Sequence, residues 1–136
     1  MISQIEFSLI PFPKGIHLVT GEVLKKLPKL PELGLVHLLL KHTSAALCLN
    51  ENADPSVRID FNEYFKRLVP ENQSYFEHTL EGADDMPAHI KSSILGQQLT
   101  LPITKHTLNL GTWQGIYLCE FRNQGGSRSF IATIYS

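Results

Sequence analysis

Four short stretches of the chain concentrate side chains able to do chemistry. The first is His42-Thr43-Ser44, directly after the apolar run 34–41. Leu38 and Leu40 share the strand side of His42, so the imidazole is expected to be partly buried and to need a metal, phosphate or carboxylate partner. Thr43 and Ser44 could equally be polar residues of a crossover, their hydroxyls satisfying backbone groups. The second stretch is Asn50-Glu51-Asn52-Ala53-Asp54. Its amides and carboxylates could hold a cation or a ligand's hydroxyls, although Asp54 reads better as a helix N-cap.

The third stretch, Asp84-Asp85-Met86-Pro87-Ala88-His89-Ile90-Lys91-Ser92-Ser93, opens a helix. Asp85, His89 and Ser92 are spaced i, i+4 and i+7, which puts them on one face with Ser93 beside it. Carboxylate, imidazole and hydroxyl in that order suit an acid/base group with its orienter, or a metal ligand whose tautomer a carboxylate fixes. The plainer alternative makes Asp84 or Asp85 the cap and the serines surface residues. The fourth stretch is Gly111-Thr112-Trp113-Gln114-Gly115, ahead of a strand that carries Glu120. Trp113 offers a stacking face, and the flanking glycines let backbone approach a ligand. By strand parity Glu120 shares a face with Gln114 and Leu118, and Arg122 is its expected partner because an unpaired buried carboxylate is costly. His17, His37, His78 and His106 have no such polar company and read as surface or satisfied core residues.

The elements that must position these residues follow from periodicity. Strands are expected over 2–10, 16–20, 34–41, 45–50, 97–103, 107–110, 115–122 and 127–135, with helices over 21–31, from Asp54-Pro55 to Pro70, and from Asp85 to Gly96. Residues 71–83 show no period and are expected to form a long loop. Asn123-Gln124-Gly125-Gly126 reads as a hairpin connection between the last two strands. Strands flanking helices without regular alternation give an α+β fold of mostly antiparallel sheets.

Composition narrows the function further. The chain has 136 residues, about one domain's worth, so residues 1–136 are read as a single domain. Such a length buries roughly two thirds of the unfolded surface without help from metal or disulfide. A formal charge of -1 argues against nucleic-acid binding, which needs an excess of Lys and Arg. No apolar run reaches the length of a membrane span and no signal peptide opens the chain, so a cytoplasmic address is expected. Cys48 and Cys119 lie in apolar strands and read as small buried thiols. Gly-x-Ser-x-Gly, His-Glu-x-x-His and Cys-x-x-Cys motifs are missing, which removes hydrolase elbows, zincins and thioredoxin chemistry.

HTSAALCLNENADPSVR, EGADDMPAHIKSSILG and LGTWQGIYLCEFR…GGSR together resemble the YjbQ family, also called the secondary thiamine-phosphate synthase family, over nearly the whole chain. The resemblance implies two facing β-sheets assembled as a homotrimer. It also implies a polar cluster near the subunit contacts, made of His42, Thr43, Ser44, Asn50, Glu51, Asn52, Asp85, His89, Ser92, Ser93, Thr112, Trp113, Gln114 and Glu120. The implied activity joins the pyrimidine diphosphate and thiazole phosphate halves of thiamine and releases pyrophosphate. Catalytic work would then fall to His42, Asp85, His89 and Glu120, and substrate binding to the rest of the cluster. Many members carry Glu-His-Arg-x-His-Gly-Gly where this chain has Glu120-Phe121-Arg122-Asn123-Gln124-Gly125-Gly126, so Phe121 and Gln124 replace two imidazoles.

Three functions are consistent with these residues. A transferase of the thiamine-phosphate type must stabilise a leaving pyrophosphate. Asp85 and Glu51 could contact Mg²⁺ through water, Lys91 or Arg122 could take phosphate, and Trp113 could stack on the pyrimidine. A different enzyme, or a metal- or small-molecule-binding protein, could use His42 and His89 with one carboxylate as an open Zn²⁺ site. A trimeric scaffold would use the cluster only to satisfy subunit contacts.

Overall fold

The computed structural model describes residues Met1–Ser136. Alternating apolar residues make strands whose inner faces meet in one core. The strands are β1 (Ile2–Leu9), β2 (Gly15–Leu18), β3 (Leu33–Leu40), β4 (Ala45–Glu51), β5 (Gln98–Thr104), β6 (Thr107–Leu108), β7 (Gln114–Glu120) and β8 (Arg128–Tyr135). Three helices accompany them: α1 (Thr20–Lys26), α2 (Pro55–Leu68) and α3 (Asp85–Leu95). β1-β8-β3-β5-β6 form one sheet and β2-β7-β4 a second, with every pairing antiparallel.

Val36, Leu38 and Leu40 of β3, Phe130 and Ala132 of β8, and Leu47 and Leu118 of the smaller sheet are fully buried between the layers. A second apolar cluster, with Ala46, Tyr117, Cys119, Phe121 and Ala88, lies where the helices cover the outer side of the smaller sheet. The Cys48 and Cys119 sulfurs sit 3.8 Å apart in this layer as free thiols. The outer face of the five-stranded sheet has no helix over it, and Leu33, Leu35 and Leu39 are exposed there. No helix is long and apolar enough to cross a membrane.

Most elements fall where periodicity puts them, with three corrections. α1 starts at Thr20 and ends at Lys26, because Pro28 and Pro31 cannot continue a helix. β4, apolar enough over 45–50 to be expected as a central strand, is an edge strand of the small sheet. Residues 123–126 are no hairpin: β7 and β8 belong to different sheets, so the segment crosses between layers. His42-Thr43-Ser44 makes another such crossing, from β3 to β4, at the same end of the molecule. Ala45 is opposite Glu120 and Leu40 opposite Phe130. Lys105 and His106, both at positive φ, form the tight β5–β6 turn, whose conformation matches the strand twist.

Candidate metal centre

Helix α3 begins with Asp84 at the N-cap position and Asp85 in its first turn, where carboxylates favour the positive end of the helix dipole. The side chain of Asp84 does not cap the helix. It accepts from Arg122 Nε (2.9 Å) and from the Asn123 backbone N–H (2.9 Å). Asp85 Oδ1 accepts from Arg122 Nη1 at 2.5 Å. Burial alone would raise both carboxyls. For Asp84 the Asn123 amide and Arg122 more than offset it, and for Asp85 His78, His89 and Arg122 do, so both lie below the ordinary carboxylate range. A depressed carboxyl contributes stability that is complete above its unfolded pKa of about 4 and lost as pH falls through the folded value. Acid unfolding followed by far-UV circular dichroism should therefore shift to higher pH in Asp84→Asn.

The other oxygen, Asp85 Oδ2, faces two imidazoles: His78 Nε2 at 2.6 Å and His89 Nε2 at 3.1 Å. One atom from each of His78, Asp85 and His89 lies within 4.8 Å of the others. Tetrahedral ligands of zinc stand about 3.3 Å apart when metal–nitrogen bonds are about 2.0 Å. The second ring nitrogen of His89 settles its tautomer. Nδ1 is 2.8 Å from the Thr43 carbonyl, which can only accept, so Nδ1 carries a proton. Ser92 Oγ donates to the same carbonyl at 2.6 Å and holds it in place. In a neutral ring Nε2 then presents a lone pair to the Asp85 carboxylate, acceptor against acceptor. A second proton or a shared cation resolves that contact. A ring N–H anchored to a backbone carbonyl, with the opposite nitrogen directed at a carboxylate, is the arrangement of a metal-ligating histidine. Two imidazoles and one carboxylate with open positions suit Zn²⁺ or another divalent transition ion better than Mg²⁺, which prefers oxygen.

His42 and His89 line one open hollow of about 660 Å³, with Lys41, Thr43, Ser93 and Gln97. His42 is nevertheless not a ligand. Its Nε2 accepts the Ser129 backbone N–H at 2.7 Å, so the proton of the neutral ring sits on Nδ1 and no lone pair remains. Desolvation, then the Arg128 charge, lowers its pKa, in keeping with a neutral ring that holds the crossover to β8. His78, rather than His42, stands with His89 at the Asp85 carboxylate as a candidate ligand. It comes from the aperiodic loop and corrects the reading of His78 as an uninvolved histidine.

The remaining expected residues divide between this centre and the far end of the smaller sheet. Thr43, Ser92 and Ser93 are at the centre. Both serine hydroxyls donate within the fold, Ser93 to the His89 carbonyl at 2.9 Å, and Ser92 is fully buried. Ser44 is buried and its carbonyl accepts from Arg128 Nη2 at 3.3 Å. Glu120 is fully buried in an ion pair with Arg128, Nη2–Oε2 2.5 Å and Nε–Oε1 2.7 Å. Its side-chain partner is Arg128 rather than Arg122, whose guanidinium serves Asp84 and Asp85, so neither Glu120 nor Arg122 has a charge free for substrate.

Asn50, Glu51, Asn52, Thr112, Trp113 and Gln114 lie at the opposite end of β4 and β7, where Glu51 pairs with Gln114. The seven residues of β4 separate them from the centre by roughly 20 Å, so one chain does not bring the two groups together. Here polar groups mostly serve the loops. Glu51 accepts from the Asp54 N–H (3.0 Å), Asn52 Nδ2 donates to the Gln114 carbonyl (3.2 Å), and Gln114 Oε1 accepts from the Gly111 N–H (2.8 Å). Asp54 caps α2 through the Ser56 N–H at 2.9 Å, as its spacing before Pro55 implies. Trp113 is 63% exposed.

This antiparallel two-layer α+β fold is one that known proteins share. The model of the UPF0047 protein YjbQ-like family matches residues 5–136, and the chain belongs to that family. It is 58% identical over 124 residues to UPF0047 protein YjbQ of Salmonella typhimurium (strain LT2), covering 90% of this chain and 89% of that one. UPF0047 protein sll1880 of Synechocystis is 44% identical over 101 residues, covering 74% and 69%. Among solved structures, a conserved hypothetical protein of Thermus thermophilus superimposes with a TM-score of 0.81 at 31% identity, covering 93% of this chain and 97% of that one. A YjbQ/UPF0047 family protein of Clostridium acetobutylicum gives 0.79 at 31% identity, covering 96% and 99%.

Proposed function

We propose that this protein is a metal-dependent enzyme acting on a small phosphate-bearing molecule, with the thiamine-phosphate type of transfer as its reaction. The observation that carries the proposal is the Nε2 of His89, tautomerically fixed and aimed with His78 at one oxygen of Asp85. A divalent ion held there would supply positive charge against a leaving pyrophosphate. In the transfer, a thiazole nitrogen forms a C–N bond to the pyrimidine methylene carbon as the C–O bond to pyrophosphate breaks. Arg122 fixes the Asp85 carboxylate, Ser92 fixes the carbonyl that orients His89, and Thr43, Ser93 and Gln97 offer hydrogen bonds along the hollow. The exposed Leu39 reaches this hollow from the uncovered sheet face, which supports a homotrimer whose subunit contact borders the site. A cytoplasmic location belongs to the same proposal, with no role for nucleic acid or membrane.

Rescue of a thiamine-auxotrophic strain is expected, and His89→Ala should abolish it. Rescue that survives both His42→Ala and His89→Ala would overturn the transferase reading.

A second reading keeps the metal and changes the substrate. It is favoured by the charges around the hollow, where Lys41 is already paired with Glu6 at 2.6 Å and Arg122 with two carboxylates. Stoichiometric metal together with failed rescue would select this reading.

A further inference from the structure

Lys91 stands two residues beyond His89, about 200° around the helix, and so faces away from the hollow. The residue is 4% exposed, and its ammonium, open to the recess, is bound by no protein acceptor. Its one marked contact is the face of Phe121, 4.6 Å from the ring centroid. The stem is buried while the ammonium reaches the recess, where its three donors are free for water or an anion. Lys91 lines a recess of about 490 Å³ whose other walls are Lys14, Lys66, Val69, Pro70 and Glu71. Three cations therefore meet one carboxylate, and Glu71 is already bonded to Lys14 at 3.2 Å. The nearby Asp84 is committed to Arg122 and the Asn123 amide. None of the recess residues lines the hollow beside the metal centre.

We infer that this recess is a second binding site, for a tetrahedral oxyanion of the phosphate class, with Lys91 at its floor and Lys14 and Lys66 at its rim. An anion seated there would take charge-assisted hydrogen bonds from the Lys91 ammonium in place of water, while the Phe121 ring supports the opposite side. Lysines suit such a ligand as mobile point charges that adapt to phosphate oxygens without requiring a fixed fork. The recess has room for a phosphate ester as well as the free ion. The site stands independently of the metal and of the transferase reading.

Isothermal titration of the full chain with inorganic phosphate, after removal of metal by chelator, tests the assignment. One phosphate per chain is expected, in the wild type and in His78→Ala alike. Lys91→Met and Lys66→Met should each weaken binding by at least about tenfold, the scale of losing one charge-assisted contact. Lys66 is exposed on α2, so its variant keeps the test decisive if Lys91→Met fails to fold. Lack of binding by the wild type, or binding unchanged in both lysine variants, would overturn the proposal. So would a phosphate signal that disappears with His78→Ala yet survives Lys66→Met, since that places the anion at the histidine centre.

Discussion

Asp85→Asn is expected to remove stoichiometric Zn²⁺ or Co²⁺ from protein purified without chelator or affinity tag. One oxygen of this carboxylate faces two imidazoles, and the other is held by Arg122. An amide in its place lacks the negative charge that draws a cation between the rings. Outer-shell partners alone are worth about 10–100-fold in metal affinity, and a direct ligand should cost at least as much. His78→Ala should have a similar effect on metal with less effect on folding, because its side chain is 43% exposed whereas that of Asp85 is 2% exposed. His42→Ala should leave metal content unchanged, since its Nε2 is taken by Ser129. Because ligation displaces protons, affinity should rise with pH through the imidazole range. Full metal occupancy in Asp85→Asn, or loss of metal in His42→Ala alone, would show that the ion is held elsewhere.

The second large effect is on stability. Glu120→Ala leaves the Arg128 guanidinium, 5% exposed, without its carboxylate inside the protein. Removing one partner of a buried pair costs about 3–5 kcal/mol, whereas exchanging both for apolar residues of similar volume is often neutral or stabilising. Urea denaturation should therefore show a marked loss of stability in Glu120→Ala and recovery in Glu120→Leu with Arg128→Met. The double variant should also keep its metal, because neither residue bonds His78, Asp85 or His89. If the double variant loses metal while remaining folded, Glu120 belongs to the centre after all.

Much of this arrangement is legible in the chain. Asp85 and His89 are found by helical spacing, and Asp54 by its position before Pro55. His42 is placed beside His89 correctly, but its role depends on a hydrogen bond from β8 that no local pattern encodes. His78 escapes because residues 71–83 lack any period; the one available clue is an imidazole seven positions ahead of a helix-opening carboxylate. The partner of Glu120 is misassigned for a definite reason. Parity puts Arg122 on its face only if the strand continues, yet β7 ends at Glu120 and the chain turns into the other sheet. Arg128, which begins β8, reaches Glu120 across the core. The expected single cluster divides because β4 is long enough to hold its two polar ends apart, a distance visible only once Ala45 and Glu51 are known to share one strand.

Three of the connections between layers, β1–β2, β3–β4 and β7–β8, lie at the end that carries His42, Thr43 and Glu120. The candidate centre is tied to this end through the Thr43 carbonyl that His89 and Ser92 both bind, which leaves that region little freedom to drift without loosening the whole molecule. The histidine lent by the 71–83 loop is under no such constraint, since the loop belongs to neither sheet. Which ion the centre would prefer, and how tightly it would grip it, is therefore open to change through that loop while the scaffold stays as it is.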